Sequence, residues 1–442
     1  MSRPGLLLVI LLVLAGIAGR FLVSVHDKNT APPKEPKLSS EASAPPPTAP
    51  VAQGGEGGTV ESELLNEAYQ LSQARQLQYQ DALELLPNSA AAIQKAWQRQ
   101  LVERFPSDTL DRLGLTLQLL GILPSDEDLT ARYRLRANLS PEVTYDSQEG
   151  SLLHTKNLTL TDPESKEWLA FQLTLMLLDQ NFQWHESLIP TEVNMDRSLA
   201  QLAYVQGDAT WQALKHTKTD VAKSHAWKRT DTLTNNWPRA LREAEFLPLR
   251  EGVHFCQAIA GQNVMLDAVY QQLPSSTAQI IHPDRYLEIP RWEPRNLRWA
   301  QRDILRSEPV WDNVIGELMI RGWLQSALPA EDAALLAAGW EGDGVLLYQT
   351  EDEAPQLVWK TAWRNASTAE RFFKLLTDQA KALFEIEGAP EKSDTTATFP
   401  DVLGPKLILA EDTVTLLRTT TPTWAEALED VAQRSRFREN KP

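Results

Sequence analysis

The chain has 442 residues, of which 42% are hydrophobic, enough for two or three ordinary globular domains and too apolar for a disordered protein. Its formal charge of −16, with no Lys/Arg cluster beyond helix-face spacing, excludes nucleic acid as a partner, because phosphate neutralisation needs a basic surface. A single cysteine, Cys256, rules out an intramolecular disulfide and a cysteine-based zinc site.

The first 26 residues read as an export segment. After Met1-Ser-Arg3 comes the apolar run Leu6-Leu-Leu-Val-Ile-Leu-Leu-Val-Leu-Ala-Gly-Ile-Ala18, and Phe21-Leu-Val-Ser-Val25 continues it past Arg20. The favoured expectation is an uncleaved single-pass anchor with an extracytoplasmic globular part, the alternative a secreted protein cleaved near Gly16-Ile-Ala18. Residues 27–59 are rich in Pro, Ala and Gly, as in Ala44-Pro-Pro-Pro-Thr-Ala-Pro50, and are expected to form an extended tether.

From residue 60 the spacing predicts helices over 61–100, with a break at Pro87-Asn88, then over 108–120 and up to 135. The β-branched content of 142–146 and 151–155 predicts a hairpin. Its His154 is far more readily a buried or surface histidine than a ligand. Helices are expected over 164–180, buried on most sides, and over 196–213; residues 217–236 read as an exposed polar insertion. Helical patterns resume to 249 and over 253–272, and a loop with a short helix covers 273–286. Pro290-Arg-Trp-Glu-Pro294 marks an expected boundary between a helical domain, 60–290, and an α+β region, 291–442. In the latter, helices are predicted over 312–326, 330–338, 368–384 and 423–435. A turn over 339–344 leads to a strand over 345–348, paired with 356–363; 407–410 and 413–418 form a second hairpin. The fold class is therefore α+β, predominantly helical, ending in a small antiparallel sheet with helices on one face.

Local chemistry is sparse. The seven histidines stand at 26, 154, 185, 216, 225, 254 and 282, so no pair has the four-residue helical spacing of a zinc site. Ser275, Ser276 and His282 lie near one another without a nucleophile elbow, and Cys256 sits between apolar residues as an inert thiol would.

Six segments in order nevertheless carry a pattern. They are Asp111-Arg-Leu-Gly-Leu115 with Leu120-Gly-Ile-Leu-Pro124; Tyr145-Asp146; Leu173-Thr174 with Asp179-Gln-Asn-Phe182; Gln206-Gly-Asp-Ala209; and Pro274-Ser-Ser-Thr277 with Gln279, His282-Pro283 and Tyr286, followed late by Gly339-Trp-Glu-Gly-Asp343. Over 111–373 the chain resembles a family of bacterial exported or membrane-anchored zinc metallopeptidases of the gluzincin type. That family carries His-Glu-Leu-Thr-His on one helix and Glu-Gly-Asp-Ala on a second. The resemblance implies a degenerate zincin-like domain. Phe171 stands at the first zinc histidine, Gln172 at the general base, Leu175 at the second histidine and Gln206 at the third ligand, and the loop's glutamate and the turn's arginine are Ala278 and Gly344. Phenylalanine and leucine offer no lone pair, and a glutamine amide is neither base nor anionic ligand. The expectation is a pseudoenzyme without zinc or other cofactor, its old metal cavity filled by Phe171 and Leu175, binding a protein or peptide partner between the zinc-helix region and the 274–286 loop. Asp179, Asp208, Ser276, Thr277, His282 and Tyr286 are the candidate residues of that remnant cleft. The alternatives are a metal-independent hydrolase reusing its acids or His282, and a still active peptidase with an unrecognised metal site.

Overall fold

The computed structural model describes residues 60–105, 108–138, 141–349, 354–400 and 404–438. The expected export segment and tether lie outside them. Helix α1 (Val60–Arg75) is followed by strand β1 (Leu85–Asn88), helices α2 (Ala90–Arg104), α3 (Thr109–Leu119) and α4 (Leu129–Ala137), and the hairpin β2 (Val143–Asp146) and β3 (Ser151–Thr155). The hairpin is as predicted. Residues 85–88 are not helical: Pro87 cannot continue a helix, and the segment pairs in parallel with β3, Leu85 opposite Leu152. With strand order β1-β3-β2 it takes an edge position, where a proline's missing N–H costs nothing.

Two long helices form the centre of this half. In α5 (Pro163–Phe182), the Asp162 side chain caps the first turn by accepting from Ser165 N, and Pro163 occupies the position where its absent N–H is tolerated. After the single turn α6 (Trp184–Ser187), α7 (Met195–Thr217) begins at the cap Asn194 and packs along α5. Its far side crosses the π-helical turn Pro248–Gly252 so closely that a Cβ on Gly207 would lie 2.5 Å from the Gly252 carbonyl carbon. Only glycine fits there.

The stretch 217–236 is not an exposed insertion. It contains α8 (His225–Thr234), capped by Ser224, which accepts from Trp227 N at 3.0 Å. The buried Glu167 carboxylate of α5 accepts from His225 N at 3.1 Å and Ala226 N at 2.8 Å, so an acid from one helix neutralises the N-terminal end of another. That docking holds a polar helix against the centre. Helices α9 (Arg239–Phe246), α10 (Val253–Gly261), α11 (Leu266–Gln271), α12 (Thr277–Ile281) and α13 (Pro283–Leu287) complete the helical half.

The remainder begins with the short strands β4 (Leu297–Arg298) and β5 (Trp311–Asn313). Helices α14 (Gly316–Leu324) and α15 (Ala330–Ala337) come next, then strands β6 (Trp340–Tyr348) and β7 (Gln356–Trp363) and helices α16 (Ala366–Asp378) and α17 (Ala380–Phe384). Strands β8 (Glu391–Lys392), β9 (Thr396–Thr398), β10 (Lys406–Ala410) and β11 (Thr413–Arg418), helix α18 (Pro422–Arg434) and strand β12 (Arg436–Phe437) close the chain. The fold is α+β. Its main sheet is larger than expected, with seven strands in the order β5-β6-β7-β11-β10-β9-β8, every pairing antiparallel. Residues 311–313 join that sheet instead of opening a helix, and the expected turn over 339–344 is the bulged first half of β6. Helices cover both faces. Trp359 and Trp363 pack with Phe372 of α16, whereas Leu346, Val358 and Leu417 pack with Trp424 and Leu428 of α18, as the two-residue period of β6, β7 and β11 requires. The hydrophobic core runs without interruption past Pro290, since α14 packs against α9 and α12.

Candidate functional site

Helical spacing gathers one face of each of four helices around a single space. From α5 come Trp168, Phe171, Gln172 and Leu175; from α7, Ser198, Leu202, Gln206 and Thr210; from α8, His225, Arg229 and Leu233; from α4, Asp128, Arg132 and Arg136. Trp97, Trp184 and Trp237 contribute aromatic wall, and the partly open cavity measures about 970 Å³. All four positions that the resemblance sets against the zinc-peptidase groups, Phe171, Gln172, Leu175 and Gln206, line it.

The space is not filled by Phe171 and Leu175, contrary to expectation. Phe171 leans on Trp168, with ring centroids 5.4 Å apart, and Trp168 in turn meets Trp97 edge-on at 6.2 Å. The rings stack along the wall because aromatic pairs gain from offset and edge contacts, while α8 and α4 form the opposite side. Trp168 is fixed by donating from Nε1 to the Val143 carbonyl at 2.7 Å, and Trp184 Nε1 donates to the Leu175 carbonyl at 3.1 Å.

Gln172 has a structural engagement. Its Oε1 accepts from Tyr145 N at 2.7 Å, tying α5 to β2. Two turns further along α5, the Tyr145 hydroxyl donates to Asp179 Oδ2 at 2.6 Å, and Asp179 Oδ1 pairs with His185 Nδ1 at 2.7 Å. Burial, with Asp179 adding to it, pushes the Tyr145 phenol well above its ordinary pKa, so it stays a donor. His185 borders the cavity, but one ring nitrogen is committed to Asp179.

The remnant-cleft candidates lie elsewhere. None of Asp179, Asp208, Ser276, Thr277, His282 and Tyr286 lines the cavity, which opens on the α8 side of α5 and α7 and not toward the 274–286 loop. Asp208 is fully buried and accepts from Arg75 Nη2 at 3.1 Å, Gln212 Nε2 at 3.0 Å and the Tyr270 hydroxyl at 3.2 Å, fastening α1 and α11 to α7. His282 Nε2 faces Glu317 Oε1 at 2.7 Å, with Arg285 on the other carboxylate oxygen at 3.2 Å. The Tyr286 hydroxyl donates to the Gln272 carbonyl at 2.8 Å, and Ser276 caps α12. Asp179, Asp208 and His282 are thus dispersed, each in its own network. His154 is buried with Nδ1 3.0 Å from the Thr155 carbonyl, and burial raises the Cys256 thiol well above its usual pKa.

A second cluster joins two of the sequence motifs to the start of α7. Asp196, at the start of α7, accepts from Thr277 N at 3.1 Å and from its hydroxyl. Asp343 of β6 accepts from Ile315 N at 2.8 Å, Gly316 N at 2.9 Å and Trp340 Nε1 at 2.9 Å. Asn313 Oδ1 accepts from Met195 N at 2.7 Å. Burial pushes Asp196 up to about 7, against the hydrogen bonds from Ser276 and Thr277, and it raises Asp343 as well. This is a latch between α7, α12, α14 and the main sheet. It is packed solid: a Cβ on Gly316, which has φ +82°, would fall 2.0 Å from Asp196 Oδ1.

Among the described residues, no group of three or more His, Cys, Asp or Glu side chains could hold a metal ion. Sequence reasoning missed the aromatic wall and Arg229. The signal present was the i, i+4 spacing of His225, Arg229 and Leu233 inside a segment whose polarity suggested exposure.

Residues 306–432 match a domain of unknown function, DUF8575. That span contains the main sheet with α14 to α17 and most of α18, and no residue of the cavity wall. No curated protein and no solved structure matches the chain. None of the described helices is long and apolar enough to cross a membrane.

Proposed function

We propose that the protein is a peptidase-like binding protein, tethered outside the cytoplasm by its N-terminal apolar run, that holds a peptide or small apolar ligand in the 970 Å³ cavity without cleaving it. The observation that carries this reading is the gathering of Phe171, Gln172, Leu175 and Gln206 on one cavity wall. Four positions scattered along two helices by the resemblance alone meet at one place. That convergence supports zincin-like ancestry. The residues do not fit zinc: two have no lone pair, two are neutral amides, and His185 is held by Asp179. A cavity of this volume falls within the range of ligand sites and takes a small molecule or a chain end, not a folded domain.

The full chain contains its own reporter, because Trp97, Trp168, Trp184 and Trp237 border the cavity. Titration with a pool of apolar tetrapeptides is expected to change tryptophan emission saturably, and mass spectrometry is expected to return every peptide uncut. Leu202→Trp, which fills the cavity from α7, is expected to abolish the change while keeping the wild-type melting profile. Hydrolysis by the wild type that disappears in this variant would overturn the reading, as would unaltered binding to the variant.

A further inference from the structure

We infer that Arg229 is a carboxylate receptor, so that the occupant of the cavity is an apolar molecule or peptide end bearing a free carboxylate. The inference rests on the binding role proposed above and names what the site binds. Every other arginine in the wall already has its anion: Arg132 pairs with Glu127 and Arg136 with Glu245. Arg229 is half-buried and stacks on Trp168, its guanidinium carbon 5.0 Å from the ring centroid. Among the described residues, no carboxylate lies within ion-pair distance of it. Its neighbours are committed elsewhere. Glu167 accepts from the two backbone N–H groups at the start of α8, Glu164 has its ion-pair contact with His225 Nδ1 at 3.9 Å, and Asp128 caps α4 by accepting from Ala131 N at 2.8 Å. Asp126 and Asp128 are exposed.

A guanidinium presents five donors in a planar fork, and withdrawing it from water without a counter-charge is costly. The same wall contains a second donor without an acceptor, the buried indole Nε1 of Trp97. Burial acts most strongly against the charge on Arg229; Glu164 offsets part of that, and Arg136 adds a smaller effect against the charge. An arriving carboxylate supplies what this side chain lacks. The ligand's apolar body then lies on Trp168 and Phe171, beside the arginine that holds its charged end.

The test is a matched pair of probes on the full chain, the free acid and the carboxamide of N-acetyl-dileucine, followed by tryptophan emission. The acid is expected to bind about 10-fold tighter than the amide, and Arg229→Gln is expected to erase that preference, so that the variant binds acid and amide equally. Equal binding of the two probes by the wild type would overturn the carboxylate assignment and leave the cavity's binding role standing. Retention of the preference in Arg229→Gln would overturn it too. Failure of both probes to bind would remove the binding role and the assignment together.

Discussion

The latch and the cavity wall differ in what their side chains touch. In the latch, Asp196, Thr277 and Asp343 are each buried and hydrogen-bonded. In the wall, Phe171 and Leu175 are apolar, and space remains beside them. The latch residues are therefore architectural. Buried polar groups are costly to change once they satisfy one another, while a ligand site can exchange its chemistry and keep its shape.

The sharpest way to break this contrast is to give the wall the zinc-site chemistry that the resemblance implies. Phe171→His, Gln172→Glu, Leu175→His and Gln206→Glu combined are expected to bind one zinc ion per chain, retained through dialysis and counted by metal analysis. A Kd of about 1 μM, near 8 kcal/mol, would be the largest effect among these changes. A variant that folds and retains no zinc would separate the wall from any peptidase ancestry. The latch should respond in the other direction. Asp343→Ala strips the acceptor from three buried donors, Ile315 N, Gly316 N and Trp340 Nε1, and is expected to cost about 3–5 kcal/mol in urea unfolding. Loss of less than about 1 kcal/mol would show that the latch is dispensable.

Much of this contrast was legible in sequence, for physical reasons that also mark where legibility stopped. Residues 171 and 175 are four apart on an apolar helix, so they share a face, and the hairpins at 143–155 and 406–418 pair neighbours across short turns. Interactions between distant segments left no such trace. Strand β1 exists because β3 pairs with it in parallel from far along the chain, and α8 is in the wall because Glu167 receives its first N–H groups. Composition alone made both look like something else. The 274–286 loop and the Gly339–Asp343 turn stood out as motifs, but their spacing could not distinguish a latch from a cleft.

Titration separates the two regions next. Asp196 is pushed up to about 7 in the fold by burial, above its unfolded value of 3.8. Between those values the folded state binds the extra proton, so this residue's contribution is fully present below pH 3.8 and is lost as pH rises through about 7, at up to about 1.4 kcal/mol per pH unit. Asp196→Asn keeps an oxygen to accept from Thr277 and does not titrate. Its stability is expected to fall less steeply with pH across this window than that of the wild type, measured by urea unfolding at several pH values. An unchanged slope would show that Asp196 is not the group responsible.

The smallest expected effect is the one that best tests the wall. Arg321 and Arg229 are both withdrawn from water, but Arg321 Nη2 lies 3.0 Å from Glu243 and 3.0 Å from Glu251, whereas Arg229 has a ring beneath it and no carboxylate among the described residues. Arg321→Gln leaves two acids without one of their cations and is expected to cost about 3–5 kcal/mol. Arg229→Gln gives up a cation–π contact of about 0.5–1 kcal/mol and relieves a desolvated charge, so its net change in stability is expected to stay below about 1 kcal/mol. A small stability change would agree with the proposal that Arg229 acts on a ligand and not on the fold. If Arg229→Gln instead unfolds as readily as Arg321→Gln, Arg229 belongs with the scaffold, and the division between a satisfied scaffold and an unsatisfied wall fails at its centre.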